Sequence, residues 1–129
     1  MARVSFSNPP GAPQPGSRYS QAALIEGEGR RLVLSGQVGV RPDGSTVEDP
    51  VAQIDQALAN LGALLAAHGM GPANIVKVTV FLTDAALIGP WRAKRDAFMQ
   101  GHAPASTLLI VAGLASPAFK VEVEAEAVA

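Results

Sequence analysis

The run Lys120-Val121-Glu122-Val123-Glu124-Ala125-Glu126-Ala127 places three carboxylates two residues apart. Residues at i and i+2 share one face of a strand. Like charges that close raise each other's pKa. A carboxylate so placed can orient a water molecule or relay a proton to a leaving amine. The plain alternative is a solvated strand face, and spacing alone favours it.

Other candidates are sparser. Ser106 and Thr107 form a hydroxyl pair that can donate to a small ligand or simply satisfy backbone at a strand entry. Tyr19 follows a loop and can present its hydroxyl to a ligand or lie half-buried on a strand. Arg92, Lys94 and Arg95 form the densest group of cations, with Asp96 placed to pair with Arg92 at i, i+4. His68 and His102 lack partners at metal-ligand spacing and read as a helix C-terminal residue and a loop residue. Gly27-x-Gly29 is a turn with no helix after it, so no phosphate-binding loop is expected.

These residues must be held by one domain, since 129 residues leave no room for two independent cores. Hydrophobic residues at 48% exclude disorder, while charged residues at 16% are few for a small monomer, which suggests a face buried against other copies. A net charge of -1 gives no field to attract nucleic acid. Zero Cys excludes disulfides, thiolate metal sites and cysteine nucleophiles. No apolar run is long enough to span a membrane. Met1 to Phe6 leads into Pro and Gly rather than an apolar signal segment, so a cytoplasmic protein is expected.

Residues 1 to 17 read as an extended arm, with four prolines and two glycines between Asn8 and Ser17. Tyr19 to Glu26 and Arg31 to Val38 read as strands joined by a turn at Gly27 to Arg30. Asp49 followed by Pro50 predicts the start of a helix carrying Ile54, Leu58, Leu61 and Leu65 on its apolar stripe. Gln53, Gln56 and Asn60 are expected on its opposite, polar face. Ile75 to Leu82 is rich in β-branched residues and suits a central strand. A second helix around Trp91 to Phe98 ends at Gly101, and Trp91 reads as a packing anchor. Thr107 to Ala112 and Lys120 to Ala127 complete the order ββαβαββ. This is an α+β domain, a mixed β-sheet with two helices packed on one face. Two helices leave the other face to water or to a partner subunit.

Several segments together resemble the RidA/YjgF family, also called the L-PSP endoribonuclease family. They are Tyr19-Ser20-Gln21-Ala22, Leu34 to Val38, Val76 to Asp84, Pro104 to Thr107 and Val121 to Ala125. The resemblance implies a chorismate-mutase-like fold and a homotrimer whose sheets close into a barrel, with small-molecule clefts between subunits. It implies hydrolysis of reactive imines and enamines with release of ammonia, and no metal or organic cofactor. It also implies roles for residues. Tyr19 matches a pocket tyrosine, Ser35 and Gly36 match backbone that lines the cleft, and Glu122 matches the carboxylate that orients water.

Ser106 departs from the pattern. The family's Pro-Ala-Arg-Ser reads Pro104-Ala105-Ser106-Thr107 here. A guanidinium holds a carboxylate through two parallel N–H bonds, which a hydroxyl cannot imitate. Its loss removes about 1.5–3 kcal/mol, or roughly one to two decades of affinity. Arg92 on the second helix is a candidate substitute cation, the plain alternative being a solvated helix arginine, and the activity is expected to differ from that of the arginine-bearing deaminases. The alternatives are a non-catalytic ligand-binding trimer and, more weakly, the ribonuclease of the family's older name, which the absence of a basic track opposes.

Overall fold

The structure, a computed structural model, describes residues 2–129; Met1, the first residue of the expected arm, lies outside. Eight main elements follow one another: β1 (Arg3–Ser7), β2 (Ala22–Glu26), β3 (Arg30–Val38), α1 (Pro50–Ala66), β4 (Ile75–Leu82), α2 (Ile88–Met99), β5 (Ala105–Ile110) and β6 (Val121–Val128). Single 3-10 turns at Pro72–Asn74 and Ala85–Leu87 precede β4 and α2. The six strands form one mixed sheet in the order β1-β2-β3-β6-β4-β5. Only β4 and β5 run parallel; every other neighbouring pair is antiparallel.

The alternation in β6 decides which way the sheet faces. Val121, Val123, Ala125 and Ala127 are buried, and so are Val78, Val80 and Leu82 of β4 and Leu32 and Leu34 of β3. They meet the stripe of α1, Ile54, Leu58, Leu61 and Leu65, together with Trp91 and Met99 of α2. The opposite face carries Glu122, Glu124 and Glu126 beside their cross-strand partners Phe81, Thr79 and Lys77. Among the described residues no helix covers it, and Leu109 of β5 stands 45% exposed there, in register with Phe81.

The α1 start is as its residues dictate. Asp49 has an extended backbone, and its Oδ2 accepts from Ala52 N at 2.8 Å, with Pro50 opening the helix. Gly69 takes a positive φ of 68° just past the end. His68 closes the helix, with Nδ1 2.9 Å from the Leu64 carbonyl. Asp84 caps the short turn before α2 rather than α2 itself, accepting from Ala86 N at 2.8 Å.

Three expectations need correction. The arm of residues 1 to 17 contains a strand: Arg3–Ser7 pairs with β2, so the order is βββαβαββ. Val4 and Phe6 remain exposed in it, so the backbone ladder holds the strand rather than burial, and no core pattern announced it. Tyr19 lies before β2, which starts at Ala22, because Gln21 is held by the loop: its backbone N–H donates to Asn8 Oδ1 at 2.8 Å. Finally, two members of the supposed polar face of α1, Gln53 and Asn60, are each only 1% exposed.

Those two amides fasten the loops that surround the site. Gln53 Nε2 donates to the carbonyls of Val47 and Ala118, and its Oε1 accepts from Lys120 N. Asn60 Nδ2 donates to the carbonyls of Val38 and Val40. Gly39 leaves room for the amide, since a Cβ there would lie 2.4 Å from Gln53 Cγ. We expect Gln53→Leu to strand buried backbone groups and lower stability by about 1–3 kcal/mol. Urea unfolding would measure it; an unchanged midpoint would mean water replaces the amide without cost.

Candidate active site

The β3–β6 ladder breaks in one place. Leu34 pairs with Ala125 and Gln37 with Val123, so Ser35 and Gly36 form a bulge in β3. Bulges bend a strand and re-aim what lies against it. Here the bulge brings Gly36 directly under the Glu122 side chain. A Cβ at Gly36 would stand 2.2 Å from Glu122 Oε2 and 2.7 Å from Cδ. Only a residue without a side chain leaves the carboxylate where it is.

Glu122 is half-buried, and among the described residues no side chain or backbone group bonds to its carboxylate. Burial pushes its pKa above the ordinary carboxylate value, and the negative charge of Glu124 pushes it further in the same direction. Glu126 differs, since Arg31 pairs with it at 3.0 Å. Of the three carboxylates, Glu122 is therefore the one that is half-buried and without a partner, since Glu124 is exposed and Glu126 is paired.

Gly36 also lies on the wall of a cavity of about 600 Å³, with Gln37, Val38, Tyr19, Pro13 and Phe119 around it. Tyr19 is 47% exposed on this wall. The expected arm borders the cavity rather than swinging free, because Gln21 Nε2 donates to the Pro13 carbonyl at 2.8 Å and Gln37 Nε2 to Gln21 Oε1 at 2.6 Å. The Ser35 hydroxyl is committed to the Ser20 carbonyl at 2.6 Å, and Ser35 itself does not line the cavity. No lysine or arginine lines this cavity. Its one carboxylate, Asp43, is held below the usual range by hydrogen bonds from the Ser45 hydroxyl and N–H.

Ser106 is elsewhere. It is in register with Val78, whose side chain points toward the helices, while Glu122 points the other way. Strand β4 also separates them. The Ser106 side borders a smaller hollow of about 200 Å³ with Arg95, Asp96, His102 and Pro104. Thr107 faces the uncovered side, and its Oγ1 accepts from Lys77 Nζ at 2.6 Å. Arg92 is exposed on α2 and lines neither cavity, and the expected pair with Asp96 does not form; Arg95 takes Asp96 instead, at 2.9 Å.

Arg95 lines the smaller hollow, a placement that the sequence reading did not anticipate. The signal was present: Trp91 and Met99 lie one turn on either side of it, both buried, so residue 95 falls on the packed stripe of α2 and residue 92 does not. Among the described residues, no three His, Asp or Glu side chains gather where a metal ion would need them. No helix among them is long and apolar enough to cross a membrane.

The fold and site define a small α+β protein with one unpaired, desolvated carboxylate over a glycine bulge. Residues 10–129 match the family model described as Endoribonuclease L-PSP. The chain belongs to that family. It is 39% identical over 119 residues to 2-iminobutanoate/2-iminopropanoate deaminase of Rattus norvegicus, covering 91% of this chain and 84% of that protein. Its fold is similar to that of the YjgF gene product of E. coli, with a TM-score of 0.85, 33% identity and 96% and 98% of the two chains covered. RidA from the Antarctic bacterium Psychrobacter sp. PAMC 21119 gives a TM-score of 0.87 at 28% identity, with 95% and 98% covered.

Proposed function

We propose that this protein hydrolyses a small imine, or the enamine in equilibrium with it, to a carbonyl compound and ammonia. The observation that carries the reading is the Glu122 carboxylate, unpaired and desolvated over Gly36. A deaminase name on relatives that share more than a third of their residues with this chain supports it. In the step, a water oxygen adds to the carbon of C=N while Glu122 accepts a water proton. That proton passes to nitrogen, giving a carbinolamine; Glu122 then takes the hydroxyl proton and hands it to the amine as the C–N bond breaks, so ammonia leaves and C=O forms. No redox partner is needed.

Three copies closing a barrel through their uncovered sheet faces would complete the site. Glu122 and Ser106 face opposite ways within one protomer, so both can reach one small molecule only if two copies supply them. Leu109 and Phe81 on the uncovered face supply apolar surface for such contact. The test is ammonia release from freshly generated imines of several amino acids, alongside the mass in solution by light scattering. Release above the spontaneous rate by a trimer is the expected result. Spontaneous rates with every imine, from correctly assembled protein, would defeat the proposal.

The acid limb of the rate should follow Glu122. Its ionised form is the working one, so activity falls as pH drops through a pKa higher than that of an ordinary glutamate. Stability runs the opposite way. The folded protein holds this proton more tightly than the unfolded chain, so the contribution of Glu122 is lost as pH rises from the ordinary value through the raised one. Glu124→Gln removes the smaller of the two causes and should move the acid limb modestly toward lower pH. A limb unmoved by that change, or one moving upward, would contradict this account of the titration.

A further inference from the structure

We infer that Gln21 and Gln37 are positioning residues: their paired amides fasten the Ser35–Gly36 bulge to residues 8 to 13 and so hold the Glu122 carboxylate in its place. The inference rests on the proposed hydrolysis and adds two residues to those that serve it. A bulge interrupts the ladder and gives up backbone bonds that would hold the strand still. The β2–β3 ladder also ends beside it, at the pair Ala22 and Leu34. Side chains and the segment before β2 take over. The Ser35 N–H donates to the Gln21 carbonyl at 2.9 Å, and its hydroxyl to the Ser20 carbonyl at 2.6 Å. Gln37 Nε2 donates to Gln21 Oε1 at 2.6 Å and reaches back across the bulge to the Ser35 carbonyl at 3.2 Å. Gly36 is thereby held between two tethered neighbours, and Glu122 lies against it.

Each amide can face only one way. The Pro13 carbonyl accepts and cannot donate, so it takes Gln21 Nε2, at 2.8 Å. That turns Gln21 Oε1 toward Gln37, where only a donor fits. Both glutamines are buried, so water does not readily stand in for a lost bond. The far end is fixed as well. Asn8 Oδ1 accepts from the Gln21 N–H at 2.8 Å, and Ala12 is buried in the core. A Cβ at Gly11 would stand 2.8 Å from Ala63 Cβ, so this segment lies directly on α1. Across the ladders Glu122 faces Val38 and Phe81, neither of them ionisable. Its charged neighbours along the chain are Glu124 and Lys120, whose Nζ is turned to the Pro117 carbonyl at 2.9 Å. Gln21 and Gln37 carry no charge. A titration of Glu122 that shifts when a neutral residue replaces either one reports a moved carboxylate, not a changed charge nearby.

The test compares Gln37→Met, Gln21→Met, the double variant and Asn8→Ala, each with a thermal melt. Two readings are taken: kcat and KM on an imine that the unaltered protein turns over, and the titration of the Glu122 side-chain carboxyl by NMR. Gln37→Met and Gln21→Met should each lower kcat about ten- to a hundredfold with KM nearly constant, because the misplaced group acts on water and not in binding. Each should also move the Glu122 midpoint toward the ordinary glutamate value, as the carboxylate gains water. The double variant should lose little more than either single one, since the two amides act through one bond. Asn8 is exposed, so Asn8→Ala spares the core and should give a smaller shift in the same direction. A lower melting temperature with kcat and the Glu122 titration both unchanged would make the amides structural only and overturn the assignment. If the methionine variants do not fold, Asn8→Ala decides by the same readings. If the unaltered protein turns over no imine, the hydrolysis fails separately, and the Glu122 titration alone decides the positioning.

Discussion

Glu122→Gln should reduce kcat for imine hydrolysis by about 10²–10⁴-fold, the range expected when a positioned general base is removed. Glutamine keeps the shape of the side chain over Gly36, so the strand packing is retained. It also removes a carboxylate whose charged form the fold disfavours through burial and the neighbouring Glu124 charge. Stability at neutral pH should therefore hold or rise slightly while activity disappears. Ammonia release and a thermal melt on one preparation measure both. A variant retaining most of its activity would remove Glu122 from the chemistry, whatever its melting temperature.

The second large effect is expected from a position with no chemistry of its own. Gly36→Ala puts a methyl 2.2 Å from Glu122 Oε2 and 2.8 Å from Cγ, distances no pair of atoms tolerates. One of the two side chains must move. The glutamate is on the uncovered face and can swing outward, so the stability cost should stay at or below about 1–3 kcal/mol. The carboxylate then leaves its place by an ångström or more, and a shift of that size costs on the order of a hundredfold in rate. Gly113→Ala is the control, because a Cβ there meets nothing within 4 Å. Full activity in Gly36→Ala would show that the bulge does not position the carboxylate.

The two variants separate two kinds of loss. Glu122→Gln removes the proton acceptor and leaves its place occupied. Gly36→Ala retains the acceptor and removes it from its place. If the site works as described, the acid limb of the pH profile vanishes in the first and persists, with a shifted midpoint, in the second. Carboxylate exposed to water by Gly36→Ala loses the burial that raises its pKa, so that midpoint should move toward the ordinary glutamate value.

What the sequence alone determined was whatever depends on neighbours along the chain. Asp49 before Pro50 starts a helix because a side-chain oxygen meets an N–H three residues on. The alternation from Val121 to Ala127 separates a buried face from a carboxylate face because a strand turns over at every residue. Tertiary structure decided everything that depends on what lies across the sheet. The amides of Gln53 and Asn60 look like a wet helix face until the loops at Val38 to Val47 and Ala118 to Lys120 bring their backbone groups over. Glu122 differs from Glu126 because Arg31 pairs only with the latter, and it lies against Gly36 because a bulge 86 positions earlier in the chain slides that glycine beneath it. Ser106 stands beside Arg95 and apart from Glu122 because β5 pairs parallel with β4, a register that spacing along the chain does not encode. Local rules set the torsions and the faces; long-range packing chose which polar atoms went without partners, and that choice makes the site.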